Sequence, residues 1–394
     1  MRISVVMCFG LLLAIVVGSP NCWAAVLDFD NGGGDFKFLT ATNWNDGLGP
    51  NDDLVPGATD EAMIHDGFTG ASAVLYDTAV TTTVGRLTVG GDWHYTPPLT
   101  GDFGTSGELV MTAGKIIVDN KFEIARARGV VFGDGNGVGL VTMTNSELEL
   151  DNFDHGIGVR QRGELNIGLN AKVYNTPGQD NYWRIGNYGV NTDAGLEGNG
   201  LLNVHSNGTF NAHVIFIADN DAVGEVRVSD TGSVVLTGNL VPRPSGFQAA
   251  GSAKVQMNGA SATLSAYNLE SESLLGEIPT LYEFNADPAL GVSPIKLVDA
   301  INITNNALVV NLNGYALANF DTLLLFDGDQ ALVGDRVFGT FASTLVTGGA
   351  GQHKVIYDQV NGDILLQRVP EPSTVLLLGF GMMIAYCGKR RETR

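Results

Sequence analysis

The sequence predicts an all-β chain: a right-handed parallel β-helix (solenoid) with a β-rich C-terminal cap, flanked by a signal peptide and a C-terminal apolar helix. Three observations lead there. A pentad Gly-x-Φ-x-Φ, with Φ apolar, recurs along the chain; no apolar pattern of period 3.6 with caps persists between residues 25 and 368; and 52 of 394 residues are glycine, near twice the ~7 % average.

The pentads are GRLTV at 85, GELVM at 107, GLVTM at 139, GELNI at 163, GLLNV at 200, GEVRV at 224 and AKVQM at 253, where Ala replaces Gly. A second alternating pair follows several of them (Ile116 and Val118, Leu148 and Leu150, Val234 and Leu236). A third element sets Ile before Gly or Ala, as in Ile124-Ala125, Ile157-Gly158, Ile185-Gly186 and Ile217-Ala218. Three short strands with alternate residues apolar make no core alone, but stacked coils do. Pentads recur at intervals of 22 to 37 residues, the shortest matching one turn of a three-faced coil and the longer ones leaving room for loops such as NTPGQDNYW. A β-propeller, with blades of roughly 40 to 50 residues, needs longer units. Stacking places Leu109, Val141, Leu165, Leu202 and Val226 in one interior file and Met111, Met143, Ile167, Val204 and Val228 in the next. Glycine at each opening is expected to permit a sharp corner.

In chain order, residues 1–24 read as a signal peptide: Arg2, an apolar run from Val5 to Val17, then Gly18, Ser19, Pro20 and the small-residue site Cys22-Trp23-Ala24. Residues 25–268 read as the solenoid with its N-terminal cap. After 268 the glycine spacing loosens and runs lengthen, so 269–368 reads as the C-terminal β-rich cap, with a distinct sandwich and a continuing coil both open. All three cysteines, Cys8, Cys22 and Cys387, lie in the terminal segments. The exported body is therefore expected to be held by its core and its repetition, without disulfides.

The tail has three parts in order: Val369-Pro370-Glu371-Pro372, an apolar run from Val375, Leu376, Leu377 and Leu378 to Cys387, and the basic stop Lys389-Arg390-Arg391. As a helix, the 13-residue run is about 20 Å long, short of the ~30 Å hydrocarbon core. Basic residues beyond it stay on the cytoplasmic side and leave Pro-Glu-Pro at the outer face. This tail resembles the PEP-CTERM sorting signal of exosortase substrates, and the repeats ahead of it resemble autotransporter-type β-solenoid passengers. The resemblance implies an exosortase-type sorting protease as partner, transient contact with the inner membrane, and delivery to the cell surface or extracellular matrix.

Charge excludes other partners. The net charge is −20, and removing the terminal segments takes five basic residues against one acidic residue, leaving the body more acidic still. Such a surface repels nucleic acid and anionic membranes. Candidate chemistry is sparse. Arg126, Arg128, Arg160 and Arg162, in ARARG and VRQRG, are placed to grip an acidic sugar, or else to balance nearby Glu and Asp as a solvated ladder. Trp44, Trp93, Tyr95 and Trp183 are candidates for stacking on an extracellular polysaccharide, with Trp93-His94-Tyr95 the densest, or else pack in the core or a loop, as aromatics more often do. DFDNGGGD, ADNDAVG and FDGDQ offer carboxylates for Ca²⁺ but lack the spacing of calcium repeats, so no cofactor is expected. The resulting expectation is a structural or adhesive protein without catalysis; the rivals are a polysaccharide-active β-helix lyase or hydrolase and a glycan-binding module.

Overall fold

The computed structural model describes residues 25–45, 53–65, 73–92, 106–127, 137–151, 154–159, 161–187, 198–219, 222–242, 251–271, 278–328 and 336–370. The signal-peptide segment and the apolar run with its basic stop lie outside them. Among the described residues no helix is long and apolar enough to cross a membrane, so the expected C-terminal helix has no counterpart there.

Consecutive coils stack in parallel register, each lending a strand to three faces. The first face is a ten-stranded parallel sheet: Val74–Tyr76, Gly107–Met111, Val138–Met143, Arg162–Ile167, Asn199–Val204, Val223–Ser229, Ser252–Asn258, Leu281–Asn285, Ala307–Asn311 and Ser343–Thr347. The second face holds strands such as Glu147–Leu150, Lys172–Asn175, Thr209–Ala212 and Ser233–Leu236, and the third holds Glu61–Ile64, Asp154–Val159, Tyr182–Asn187 and Val214–Asp219. The long strands Thr81–Asp92 and Lys115–Ala127 run from the second face into the third and join them in one sheet.

The expected interior files are present and longer than predicted. Leu109, Val141, Leu165, Leu202 and Val226 align in register, continue through Val255, Tyr282 and Leu308, and are all buried. Inside the third face, Trp183 packs edge-on against Phe122 and Phe210 at 6.0 and 4.9 Å between ring centroids.

Two sequence readings need correction, and beyond residue 268 the continuing coil is the alternative found. GRLTV at 85 is not on the first face: Arg86 and Leu87 pair with Glu61 and Ala62 on the third, because a glycine before an alternating strand occurs at both corners. The first face begins instead at Val74–Tyr76. Second, the opening glycines do not turn the corner. That is done by the residue after the isoleucine, which has positive φ: 56° at Ala125, 73° at Gly158, 71° at Gly186 and 58° at Ala218. Gly200 is required for close approach, since a Cβ there would strike the backbone of Gly186 and Ile157. The parallel ladder crosses residue 268 unbroken, Lys254 pairing with Leu281 and Leu281 with Ala307. There buried Thr280 and Asn306 stand in the place of the close-approach glycine, one residue before Leu281 and Ala307. The Asn306 side chain accepts from the Thr280 amide (3.2 Å) and donates to the carbonyl and hydroxyl of Ser271 (2.6 and 2.8 Å).

The ends are closed differently. At the N-terminal end, Phe29, Phe38, Trp44 and Tyr76 form an edge-to-face plug, and the Trp44 indole donates to the Phe38 carbonyl at 2.6 Å. At the C-terminal end, the antiparallel hairpin of Gln352–Asp358 and Asp363–Val369 seals the second face by pairing with Thr322–Gly328. The closing element is thus far shorter than the cap read from sequence.

Candidate functional site

The arginine-rich coils build a charge cluster on the third face. Parallel pairing puts Glu61 beside Arg86, Arg86 beside Lys121 and Thr88 beside Glu123, so residues distant in sequence converge. Arg86 bridges the two carboxylates, reaching Glu61 at 3.3 Å and ion-pairing with Glu123; Arg126 also pairs with Glu123, and Lys121 lies 3.1 Å from it. The Thr88 hydroxyl donates to Glu61 at 3.2 Å. Glu123 is 1 % exposed and Glu61 7 %. Burial raises the Glu123 carboxyl, but Arg126, Arg86 and Lys121 outweigh it and hold the group below the ordinary glutamate value. Arg126 also lies within electrostatic reach of Glu61. Two carboxylates among three cations, shut from water, make a lock between coils. A general acid or base must instead face its substrate.

The sequence-predicted residues divide accordingly. Arg126 belongs to this cluster, whereas Arg162 is exposed and opens a strand of the first face, paired in register with Val138 and Asn199. Arg128, Arg160, Trp93 and Tyr95 lie outside the described residues. Trp183 and Trp44 are fully buried, so neither presents a face to a sugar, and the stacking role read for Trp183 is corrected: strand alternation turns its ring inward. Arg86, Glu61 and Lys121 escaped the sequence reading because GRLTV was aligned to the wrong face. Set beside KFEIARA, it brings Arg86 to Lys121, and the strand Glu61–Ile64 on its other side adds Glu61.

On the same face Arg184 lies between two carboxylates, donating from Nε to Asp154 at 2.9 Å and ion-pairing with Asp219. Partial burial alone would lower its pKa, and the two aspartates raise it instead. Of the calcium candidates, DFDNGGGD is occupied by its own loop: Asp35 accepts from Asn43 (2.6 Å), Thr40 (2.8 Å) and the Lys37 amide (3.1 Å), and Asp30 accepts from the Gly32 amide at 2.9 Å. Among the described residues no three His, Cys, Asp or Glu side chains gather as a metal cage would require.

At the C-terminal end an open groove of about 510 Å³ separates the last coil from the hairpin, lined by Phe341, Val346, His353, Lys354 and Tyr357. His353 pairs in register with Arg368; burial and that guanidinium push its imidazole below the usual histidine value. Arg368 fixes the end of the fold, donating from Nη1 to the Leu317 carbonyl at 2.7 Å. Val369 pairs with Gln352 and Pro370 is the last described residue; Glu371, Pro372 and the rest of the tail lie beyond.

Residues 368–391 match the PEP-CTERM protein-sorting motif. The motif marks an exported protein sorted by exosortase, a membrane protease. No curated protein and no solved structure matches the chain.

Proposed function

We propose that this exported chain is a structural or adhesive component of the cell surface or extracellular matrix, with no catalytic step of its own. One observation supports the reading above others. The coils stay in register from Val74 to Thr347, and the strand that closes them, Asp363–Val369, runs straight into the sorting motif without a linker. A stack of this kind transmits strain along its axis and displays long flat faces, which suits a scaffold. The charged residues of the third face are spent on one another, which suits a passive body better than a lyase or hydrolase.

The test is fractionation of the host cell. Wild type is expected in the surface or matrix fraction, with an intact mass lacking the tail. Replacement of Pro370, Glu371 and Pro372 by alanine is expected to leave the uncut chain in the membrane fraction. Release of reducing ends or unsaturated products from polysaccharide by the purified wild type would overturn the passive role.

A further inference from the structure

We propose that the strand Ser343–Thr347 pairs antiparallel with the same strand of a second copy of this chain, so that two solenoids join end to end through their first faces. This strand ends the ten-stranded sheet: Ala307–Asn311 pairs with it on one side, and among the described residues no strand lies on the other. Its inward residues continue the interior files, Thr344 beside Leu308 and Val346 beside Val310. Yet Thr344 is exposed and Val346 half-buried, where Leu308 and Val310 are buried. Outward-facing Leu345 is 56 % exposed. The last rung of the core is thus uncovered, over the groove lined by Phe341, Val346, Val355 and Tyr357.

Other sheet ends are covered by the chain itself. At the opposite end of the same sheet the Phe38 amide donates to the Leu75 carbonyl (2.9 Å) and the Leu75 amide to the Phe36 carbonyl (2.8 Å). The hairpin covers the second face, and on the third the Gln359 side chain caps Val337, accepting from its amide at 3.3 Å and donating to its carbonyl at 2.9 Å. Because the N-terminal edge is occupied, head-to-tail addition has no acceptor, which leaves the two-fold contact of two C-terminal ends. An exposed edge ordinarily carries a Lys, a Pro or a bulge that blocks pairing; Ser-Thr-Leu-Val-Thr has none of these and is rich in β-branched residues. About Leu345 the strand is its own complement: Ser343 faces Thr347, Thr344 faces Val346 and Leu345 faces its twin, the register in which all five residues are paired. Val346 of the partner subunit then lies beside Thr344 and closes the groove with an apolar side chain. From Val337 to Tyr357 the chain carries no Asp or Glu, so two copies of net charge −20 meet here without carboxylates opposed along the strands. The pairing stands apart from the surface role, and in a scaffold it would double the length of the stack.

The experiment uses the full exported chain carrying Cys387→Ser, which leaves its body without cysteine. Leu345→Cys is expected to form a disulfide-linked dimer under mild oxidation, because twin residues across the two-fold axis have Cα atoms about 4.5–5.5 Å apart. Ser343→Cys alone should stay unlinked, its twin lying about 14 Å away, whereas its mixture with Thr347→Cys should cross-link. In sedimentation equilibrium wild type is expected to weigh as a dimer. Leu345→Lys, which sets two like charges face to face, is expected to weaken that dimer about tenfold or more and to keep the circular dichroism of wild type, since Leu345 points out of the core. A monomer at every concentration, a dimer indifferent to Leu345→Lys, or cross-linking of Ser343→Cys as fast as Leu345→Cys would overturn the pairing. Growth into open-ended oligomers would overturn it too, by showing a heterologous contact. None of these outcomes bears on the surface role, which fractionation tests separately.

Discussion

The coils around Glu61, Arg86 and Glu123 and those from Ser252 to Thr347 are stacked alike and locked differently. In the first region two buried carboxylates are held among three partly exposed cations from successive coils. In the second, an amide file runs along the first face. Asn285 donates to Asn258 at 2.7 Å, Asn311 donates to Asn285 at 2.6 Å, and the Thr347 hydroxyl donates to Asn311. The difference shows what parallel register demands. Equivalent positions sit ~4.8 Å apart, so a repeated charge would repel itself along the whole stack. An amide is its own complement, donating from nitrogen and accepting at oxygen. A charge needs its opposite from the neighbouring coil, as where Lys172 follows Glu147 at 3.3 Å, or Lys254 lies between Glu225 (3.6 Å) and Glu283 (2.8 Å).

The largest expected break in this comparison is Glu123→Ala. It leaves Arg86, Arg126 and Lys121 with too little countercharge in a buried setting, and removal of one member of such a cluster typically costs about 3–5 kcal/mol. Because stability in a stacked array is local, amide exchange should accelerate in Glu61–Ile64 and Lys115–Ala127 while Leu281–Asn285 keeps its protection. Equal loss of protection in both regions would show that the charge cluster is not a local lock.

Acid should separate the two regions next. The folded Glu123 carboxyl titrates below its unfolded value of 4.5, so its contribution is complete above that pH and is lost as pH falls through the folded value. The coils around Glu123 should therefore open first on acidification, followed by exchange or by limited pepsin cleavage. The amide file has no proton to gain. Glu283, flanking it, is also held low by Lys254 and Asn285 against partial burial, but it is more exposed and its effect should be weaker. Later coils opening first would reverse the assignment.

A smaller effect is expected in the file itself. Asn285→Ala removes donors to Asn258 and Glu283 and an acceptor for Asn311, costing about 1–2 kcal/mol in a urea melt. Asn285→Asp should cost more at neutral pH, since it sets a carboxylate beside Glu283, whose Oε1 lies 3.0 Å from the amide nitrogen, and loses the donor to Asn258. If the aspartate variant is as stable as wild type, the file is not acting as a neutral ladder.

How much of this was legible depends on how far apart the partners lie in the chain. The interior files could be read because Leu165 and Ile167, or Leu202 and Val204, declare their alternation within five residues, and the sorting motif because all its parts are contiguous. Glu61, Arg86 and Glu123 are 25 and 37 residues apart, and only the true register joins them. Strand alternation also sorts the aromatics: Trp183, one of the stacking candidates, is core, and its neighbour Tyr182 carries the exposed ring. The boundary at 268 rests on vanishing glycines, yet the coils continue with Thr280 and Asn306 in the glycine's place, joined to each other and to Ser271 by side-chain hydrogen bonds, which composition does not reveal.

The smallest predicted effect tests whether the corner is common to all coils. Ala218 has φ 58°, where a Cβ costs roughly 1–2 kcal/mol, and it occupies the place that Gly158 and Gly186 take in earlier coils. Ala218→Gly relieves that strain but frees the unfolded chain by roughly 0.5–1 kcal/mol. The two nearly cancel, and a urea midpoint within about 0.5 kcal/mol of wild type is expected. A loss well beyond that would mean the methyl group packs against the core strongly enough to choose alanine here. The corners would then differ between coils as much as the ladders do, and the contrast between the charged and the amide regions would not be one of side-chain ladders alone.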